Sequence, residues 1–390
     1  MTPPRLHDLE FMRLALAEAE RGRGQTRPNP LVGAVIVDES GPSPRLLATG
    51  FHARAGTDHA EVAALRSLGG QAPGATLYVT LEPCNHVGRT GNCCEALLRA
   101  GLRRVVVGMR DPNPRVPGGG VERLRQAGVA VEVGVLEEEC RRQNRGYLRW
   151  ITTGRPHLIL KAAVSLDGFL APPPQQRGSG GPVWLTGEAA RARAHMLRAG
   201  CDALLIGAGT VRSDDPQLTV RLPEWQGPQP LRVVLDGQLS LRVQARVCQP
   251  GTLICTSEQA LRAHPERVAA LRDRGVEVVA LPPAKHGGRP TDVDLEAVVE
   301  LLGRREVLTA LCEGGAELHG ALLSAGLYQE AALFVAPVLL GAGVPLARGF
   351  ATGPSGLRLA EVSVEVIGQD VLVQGLLPEG AGGGHVHRDH

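Results

Sequence analysis

The tightest constraint on this chain lies between Gly56 and Cys94. Gly-Thr-Asp-His59-Ala-Glu61 is followed by Thr80-Leu-Glu-Pro83-Cys84 and then by Asn85-His-Val-Gly-Arg-Thr-Gly-Asn-Cys93-Cys94. One imidazole, thiols and a separate carboxylate are what a catalytic zinc needs, where three protein ligands leave the fourth position to water. Any fold that uses them must gather residues distant in sequence to one point. Glu61 stands two residues past His59, an offset that does not share a helical face with it. It suits a proton carrier better than a fourth ligand. Two other readings use the same residues: a structural zinc closed by His86 or Cys94, and a Cys84–Cys93 disulfide, which the absence of a secretory segment at Met1-Thr-Pro-Pro-Arg disfavours.

Composition narrows the partners. With 390 residues the chain predicts two or three domains. Its 42 basic and 40 acidic side chains leave a formal charge of +2, and aromatics are 3%, so neither a field nor stacking platforms for nucleic acid are expected. The most apolar later run, Leu333 to Leu346, is broken by Pro337, Gly341, Gly343 and Pro345, so no membrane span is expected. The expectation is a cytoplasmic protein with reduced thiols and a small-molecule substrate. Among the 42 basic residues only Lys161 and Lys285 are lysine. A lysine that stands against such a bias is a candidate for a compact ammonium. Lys161, flanked by Leu158-Ile-Leu160 and Ala162-Ala-Val164, fits that better than Lys285 in its Pro/Gly-rich stretch.

Taken in order, His7 to Arg21 reads as an amphipathic helix. Strands are expected at Leu31–Val37, Thr76–Leu81, Arg104–Gly108 and Val129–Val135, with helices at His59–Leu68, Asn92–Ala100 and Val121–Ala127 between them. That alternation predicts an α/β sandwich, with His59 and Cys93 at helix starts. One helix is expected from Leu136 to about Trp150, stopped by Thr152-Thr-Gly154-Arg-Pro156, where the domain boundary is placed. The domains expected are 1–150 and 156–378, followed by a Gly/His-rich tail, 379–390, without order. Later strands are expected at His157–Ser165, Ala203–Gly207, Leu231–Asp236, Thr252–Thr256, Val276–Leu281, Glu306–Cys312 and Ala331–Leu339. Helices are expected at Gly187–Arg198 and Leu295–Gly303, among others. The clusters Lys161 to Gly168, Gly207 to Arg221 and Glu313 to Leu318 each follow an expected strand, and glycine pairs at such turns let backbone amides approach phosphate oxygens.

The signature H-x-E with P-C-x-x-C marks zinc deaminases of bases. Here His59-Ala-Glu61 and Pro83-Cys84 fit, but the next thiol after Cys84 comes nine residues on. That longer interval, its His-Gly-Arg-Thr loop, and the upstream Thr26-Arg-Pro28-Asn29-Pro30-Leu-Val-Gly33 and Gly50-Phe-His52 resemble the deaminase half of the RibD family of riboflavin biosynthesis. The three later clusters are similar to that family's reductase half, which resembles dihydrofolate reductase and binds NADPH. The resemblance covers nearly the first 150 residues and roughly Pro156 to Gly349. It implies a cytidine-deaminase-like α/β/α sandwich joined to a dihydrofolate-reductase-like α/β domain.

Residue by residue, the resemblance makes His59, Cys84 and Cys93 zinc ligands and Glu61 the proton shuttle, and leaves Cys94 spare. It implies that Val164, Trp184, Thr210, Asp214 and Gly315-Ala316-Glu317-Leu318-His319-Gly320-Ala321 line NADPH. Arg198, Leu218, Arg221 and Glu313 would meet a phosphoribosyl-pyrimidine substrate, with Lys161 and Asp214 as orienting or protonating groups. A homo-oligomer through the reductase domain is also expected. Departures from the family pattern are Gly91-Asn92 where two prolines are usual, Pro182 before Trp184, and Gln329 in place of Asp. Two alternatives remain open at this point: a nucleoside or RNA deaminase fused to a binding domain, and a scaffold that uses zinc only for stability.

Overall fold

A computed structural model gives the fold and describes residues 5–85, 92–114, 119–176, 183–284, 292–352 and 354–378. His86, Gly91, Pro182, Lys285 and the tail 379–390 lie outside them. Among the described residues no helix is long and apolar enough to cross a membrane. The chain divides into two compact units, residues 1–154 and 155–390.

The first unit runs α1 (Leu6–Glu20), β1 (Gly33–Asp38), β2 (Arg45–Phe51), α2 (Ala60–Arg66), β3 (Thr76–Leu81), α3 (Cys93–Arg99), β4 (Arg104–Met109), α4 (Gly120–Gln126), β5 (Ala130–Val133), α5 (Glu137–Gln143) and α6 (Arg145–Thr153). Its sheet has the order β2-β1-β3-β4-β5, antiparallel across β2, β1 and β3 and parallel from β3 to β5. Successive residues of these strands point to opposite faces. Ala34, Ile36, Leu77 and Val79 therefore pack with α2, α3 and α4, while Val35, Val37, Tyr78 and Val106 pack with α1 and α5. This is the expected three-layer sandwich. Gly50 allows α2 to lie directly on β2, since a Cβ there would sit 2.4 Å from the Ala60 carbonyl oxygen. That approach places the start of α2, and with it His59, against the sheet.

Two polar ties fix this unit. Beneath α1 the Arg104 guanidinium donates to both carboxylate oxygens of fully buried Asp8, at 2.8 and 2.9 Å, and to Glu132 at 2.8 Å. The Tyr78 hydroxyl lies 2.8 Å from Asp8. The second tie corrects an expectation: the helix from Leu136 to Trp150 is two helices, α5 and α6. Asn144 between them leaves helical geometry (φ −107°, ψ 19°) to pair with Leu31, accepting its amide at 2.8 Å and donating to its carbonyl at 2.9 Å.

The second unit runs β6 (His157–Ser165), β7 (Phe169–Ala171), α7 (Glu188–Ala199), β8 (Ala203–Gly207), α8 (Ala208–Asp214), β9 (Leu231–Leu235), β10 (Thr252–Ser257), α9 (Glu258–Ala263), α10 (Pro265–Asp273), β11 (Val276–Leu281), α11 (Leu295–Arg304), β12 (Thr309–Cys312), α12 (Ala316–Ser324), β13 (Glu330–Ala336), β14 (Val344–Pro345), β15 (Ala360–Ile367) and β16 (Asp370–Leu376). Nine strands form one sheet in the order β11-β10-β9-β8-β12-β6-β13-β16-β15, parallel as far as β13. Strands β16 and β15 close it antiparallel. One apolar core includes α7, α8 and α10, and another includes α11 and α12. Two strands are shorter than expected. The segment from Glu306 begins its strand only at Thr309, because Glu306 adopts a left-handed φ of 58°. The strand expected to reach Leu339 stops at Ala336, because Pro337 has no amide for the ladder.

Candidate functional site

In the first unit three elements aim at one point. His59 is the N-cap of α2, Cys84 follows β3, and Cys93 opens α3 behind Asn92, whose side chain accepts the Glu95 amide at 3.3 Å. The His59 Nδ1 atom lies 3.1 Å from the Cys93 sulfur and 3.6 Å from the Cys84 sulfur, and the three donor atoms all fall within 4.8 Å of one another. Tetrahedral bonds of ordinary zinc–nitrogen and zinc–sulfur length separate such donors by about 3.6 Å. The donor set therefore fits zinc. Hydrogen bonding between the two thiols pulls Cys84 down and pushes Cys93 up.

Cys94 points elsewhere. Its sulfur faces the carbonyls of Pro83 (3.7 Å) and Gly120 (3.6 Å) inside the core. Glu61, 3% exposed, sits in the first turn of α2, and burial raises its carboxyl above the ordinary range. The grouping His7, Asp8 and Glu39 also brings three donors together, but Arg104 already serves those carboxylates as counter-ion.

The site contains two residues that the sequence marked only as part of a pattern. The His52 ring meets that of His59 edge-on, with centroids 5.5 Å apart. Its Nδ1 lies 3.0 Å from the Asp58 carbonyl and its Nε2 3.0 Å from the Asn29 amide nitrogen. These partners fit one neutral tautomer, Nδ1 donating and Nε2 accepting, and burial lowers the ring's proton affinity accordingly. Pattern matching could flag Asn29 and His52 but could not say that they touch.

In the second unit a cavity of about 1040 Å³ opens over the carboxyl ends of the parallel strands, where ligands settle in α/β sheets. Lys161, Trp184, Arg198, Thr210, Asp214, Leu218, Arg221, Glu313 and Gly315 all line it. Val164 and the rest of the 315–321 segment do not. Val164, Ala316, His319 and Gly320 are buried in the protein, Leu318 is half-buried, and Glu317 and Ala321 are exposed. His319 instead holds the Tyr328 hydroxyl at 2.8 Å.

At the cavity floor Glu313 binds two cations. Lys161 Nζ lies 3.2 Å and Arg198 Nη2 2.9 Å from its Oε2. Burial alone would raise this carboxyl, but the charges of Arg198 and Lys161 outweigh it and hold Glu313 far below the ordinary carboxylate range. The cavity also takes in His195 and Arg246, which the sequence did not single out. Its volume, the start of α12 at Gly315 and the basic wall suit a dinucleotide with a second, phosphorylated ligand.

Both halves have relatives. Residues 6–109 match the model of the cytidine and deoxycytidylate deaminase zinc-binding region, and residues 156–373 that of the RibD C-terminal domain. The riboflavin biosynthesis protein RibD of Escherichia coli is 41% identical over 91% of this chain and 94% of its own length. The Aquifex aeolicus protein of that name is 38% identical over 94% and 97%. Among solved structures, RibD of Acinetobacter baumannii superposes with a TM-score of 0.81 at 36% identity, covering 95% of this chain and 99% of that one. A Thermotoga maritima protein, described as a diaminohydroxyphosphoribosylaminopyrimidine deaminase and 5-amino-6-(5-phosphoribosylamino)uracil reductase, gives 0.79 at 35% identity, with 95% and 98% covered. A reductase domain occupies the place that the alternative of a fused nucleoside or RNA deaminase assigns to a binding domain. With both halves matched in order over nearly its whole length, the chain belongs to the RibD family, bifunctional enzymes of riboflavin biosynthesis that join a zinc-dependent deaminase to an NADPH-dependent reductase.

Proposed function

We propose that the first unit deaminates 2,5-diamino-6-(5-phosphoribosylamino)pyrimidin-4(3H)-one, and that the second reduces the ribosyl group of 5-amino-6-(5-phosphoribosylamino)uracil to ribityl. The convergence of His59, Cys84 and Cys93 beside buried Glu61 carries the first assignment. These three residues would hold zinc, which when bound would supply a water acidified toward neutrality. Glu61 accepts a proton from the attacking water and delivers it to the departing amine nitrogen. His52 and Asn29, locked to each other, pack beside the zinc ligand His59 and fix the wall of the site.

In the second unit Trp184, Thr210, Asp214 and Gly315, which line the cavity, would hold NADPH. When bound there, NADPH would supply a hydride, and the residues around the substrate would present the ribosyl carbon attached to nitrogen to it. Glu313 and Arg198, fixed to each other, orient the substrate beside Leu218 and Arg221, and Lys161 holds Glu313 in place. Asp214, at the cavity edge, is the candidate for exchanging a proton with the sugar. A homo-oligomer through this unit is supported by the free edge strand β15, whose Val362, Val364 and Val366 are 54, 65 and 75% exposed. The eight cysteines are thiols rather than disulfides, which suits the reducing cytoplasm.

The test is a coupled assay of ammonia release and NADPH oxidation on the diaminopyrimidine phosphate. Glu61→Gln should retain zinc yet lose about 10²- to 10⁴-fold in ammonia release. Reduction of supplied deaminated intermediate should be unchanged. Near-normal ammonia release by this variant removes the proton-carrier role of Glu61.

A further inference from the structure

The cations of the reductase cavity differ in what answers them. Arg198 and Lys161 are both committed to Glu313, and Arg198 Nη1 also donates to the Thr219 carbonyl at 3.1 Å. Arg221 and Arg246 line the same cavity, and among the described residues neither forms an ion pair with a carboxylate.

The backbone that presents these two arginines is held in a conformation that side chains avoid. Asp215, ending α8, has φ 40°, and Leu218 has φ 51°, both in the left-handed region where non-glycine residues are rare. Asp215 uses that turn to accept the Arg246 amide at 2.9 Å, which ties the Arg246 loop to the helix carrying Thr210 and Asp214. Leu218, 2% exposed, turns the chain toward Arg221. The Arg221 amide in turn donates to His195 Nδ1 at 3.2 Å, on α7. His195 can accept because burial first, then the charges of Arg198 and Arg221, push its imidazole down to about 4 and keep it neutral. Two arginines, each anchored through its own backbone amide, therefore line one cavity without an ion-pair partner among the described residues.

We propose that Arg221 and Arg246 form a clamp for a phosphate monoester dianion, with Arg246 a specificity-determining residue of the reductase. The inference rests on the reductase reading and adds a residue to it. Planar forks match phosphate oxygens in pairs, and two of them balance a dianion. Two phosphate monoesters reach such a cavity, the sugar phosphate of the substrate and the 2′-phosphate of NADPH, and kinetics separates them.

The experiment uses the full-length zinc-loaded enzyme and the variants Arg246→Gln, Arg246→Lys and Arg221→Gln. Loss of a charge-assisted pair should raise one KM by about 10- to 150-fold, with kcat held within about threefold. Arg246→Lys, keeping the charge, should recover a large part of the loss. If KM rises for the phosphoribosyl substrate and not for its dephosphorylated riboside, the clamp holds the sugar phosphate. If it rises for NADPH and not for NADH, the clamp holds the 2′-phosphate. Ammonia release from the same phosphorylated pyrimidine, a reaction of the other unit, should not move and reports an intact fold. Unchanged KM values, or equal losses with and without the phosphate, overturn the clamp. A wild-type enzyme that oxidises no NADPH with the deaminated compound overturns the reductase reading itself.

Discussion

Asp8→Asn probes the tie beneath α1. The buried carboxylate accepts two bonds from Arg104, at 2.8 and 2.9 Å, and lies 2.8 Å from the Tyr78 hydroxyl. Asparagine keeps the shape but turns one acceptor into a donor that faces a donor of Arg104. One bond to a charged group, worth about 1.5–3 kcal/mol, is lost outright, and the other loses its negative charge. The roughly 3–5 kcal/mol of a stranded buried charge does not apply in full, because Glu132 still accepts from Arg104 at 2.8 Å. The expected destabilisation is roughly 2–3 kcal/mol. For a unit of this size that lowers the melting midpoint by roughly 5–10 °C.

The assay heats the full-length protein and follows zinc release to a chelator and loss of deamination for the first unit, with NADPH oxidation as the internal reference. Acid supplies the second arm. Burial would raise the Asp8 carboxyl, but hydrogen bonds from Arg104 and Tyr78 bring it below its ordinary value of 3.8. A group with a depressed folded value stabilises fully above its unfolded value and loses that contribution as pH falls through the folded one. The gap between wild type and Asp8→Asn should therefore be constant from pH 7 to about 5 and close in stronger acid. Zinc is lost in acid by both proteins alike, so in this arm the midpoint is read from far-UV circular dichroism of the metal-free proteins, and the difference isolates Asp8. Equal midpoints at pH 7, or a gap that widens in acid, would refute the reasoning.

The remaining predictions concern single side chains. Cys93→Ser should lose most bound zinc, because one of three ligands is gone, whereas Cys94→Ser should keep about one ion per chain; metal analysis with the reverse ranking moves the ligand to Cys94. Lys161→Arg should lower reduction by about tenfold or more, since a bulkier planar cation must share Glu313 with Arg198. Zinc content and ammonia release should stay normal, and wild-type turnover would reduce Lys161 to a positive charge.

Much of the first unit was legible because its side chains obey short-range rules. The runs at 76–81 and 104–108 are rich in β-branched and aliphatic residues with few polar ones, and they are wholly buried. Edge strands were harder to see. Arg45–Phe51 is buried only at Ala48 and Gly50, so its pattern reads as a loop. Strand β15 alternates Val362, Val364 and Val366 with Glu361, Ser363 and Glu365, a strand period whose apolar side is exposed and so lacks the buried run that marks the central strands. The break at Asn144 was out of reach, because its partner Leu31 lies 113 residues away and nothing local distinguishes this asparagine from a surface one. The same holds in the cavity. Sequence resemblance could nominate Arg198, Arg221 and Glu313 together, but only coordinates separate an arginine already committed to a carboxylate from one that faces the cavity without one.

The strand order of the second unit has a consequence in time. Strand β12 lies between β6 and β8, and β13 lies on the far side of β6. A ribosome therefore delivers both flanks of the centre long before the centre itself. Until residues 309–312 emerge, β6 and β8 have no native neighbour in common, and the backbone groups of each that will face β12 remain open. The parallel ladders that join them are of the non-local kind that forms slowly and exposes unpaired edges meanwhile. A nascent chain stopped before Thr309 thus carries β8 to β11 on one side and β6 alone on the other, without the strand that joins them, and these open edges stay exposed until the last fifth of the chain is made.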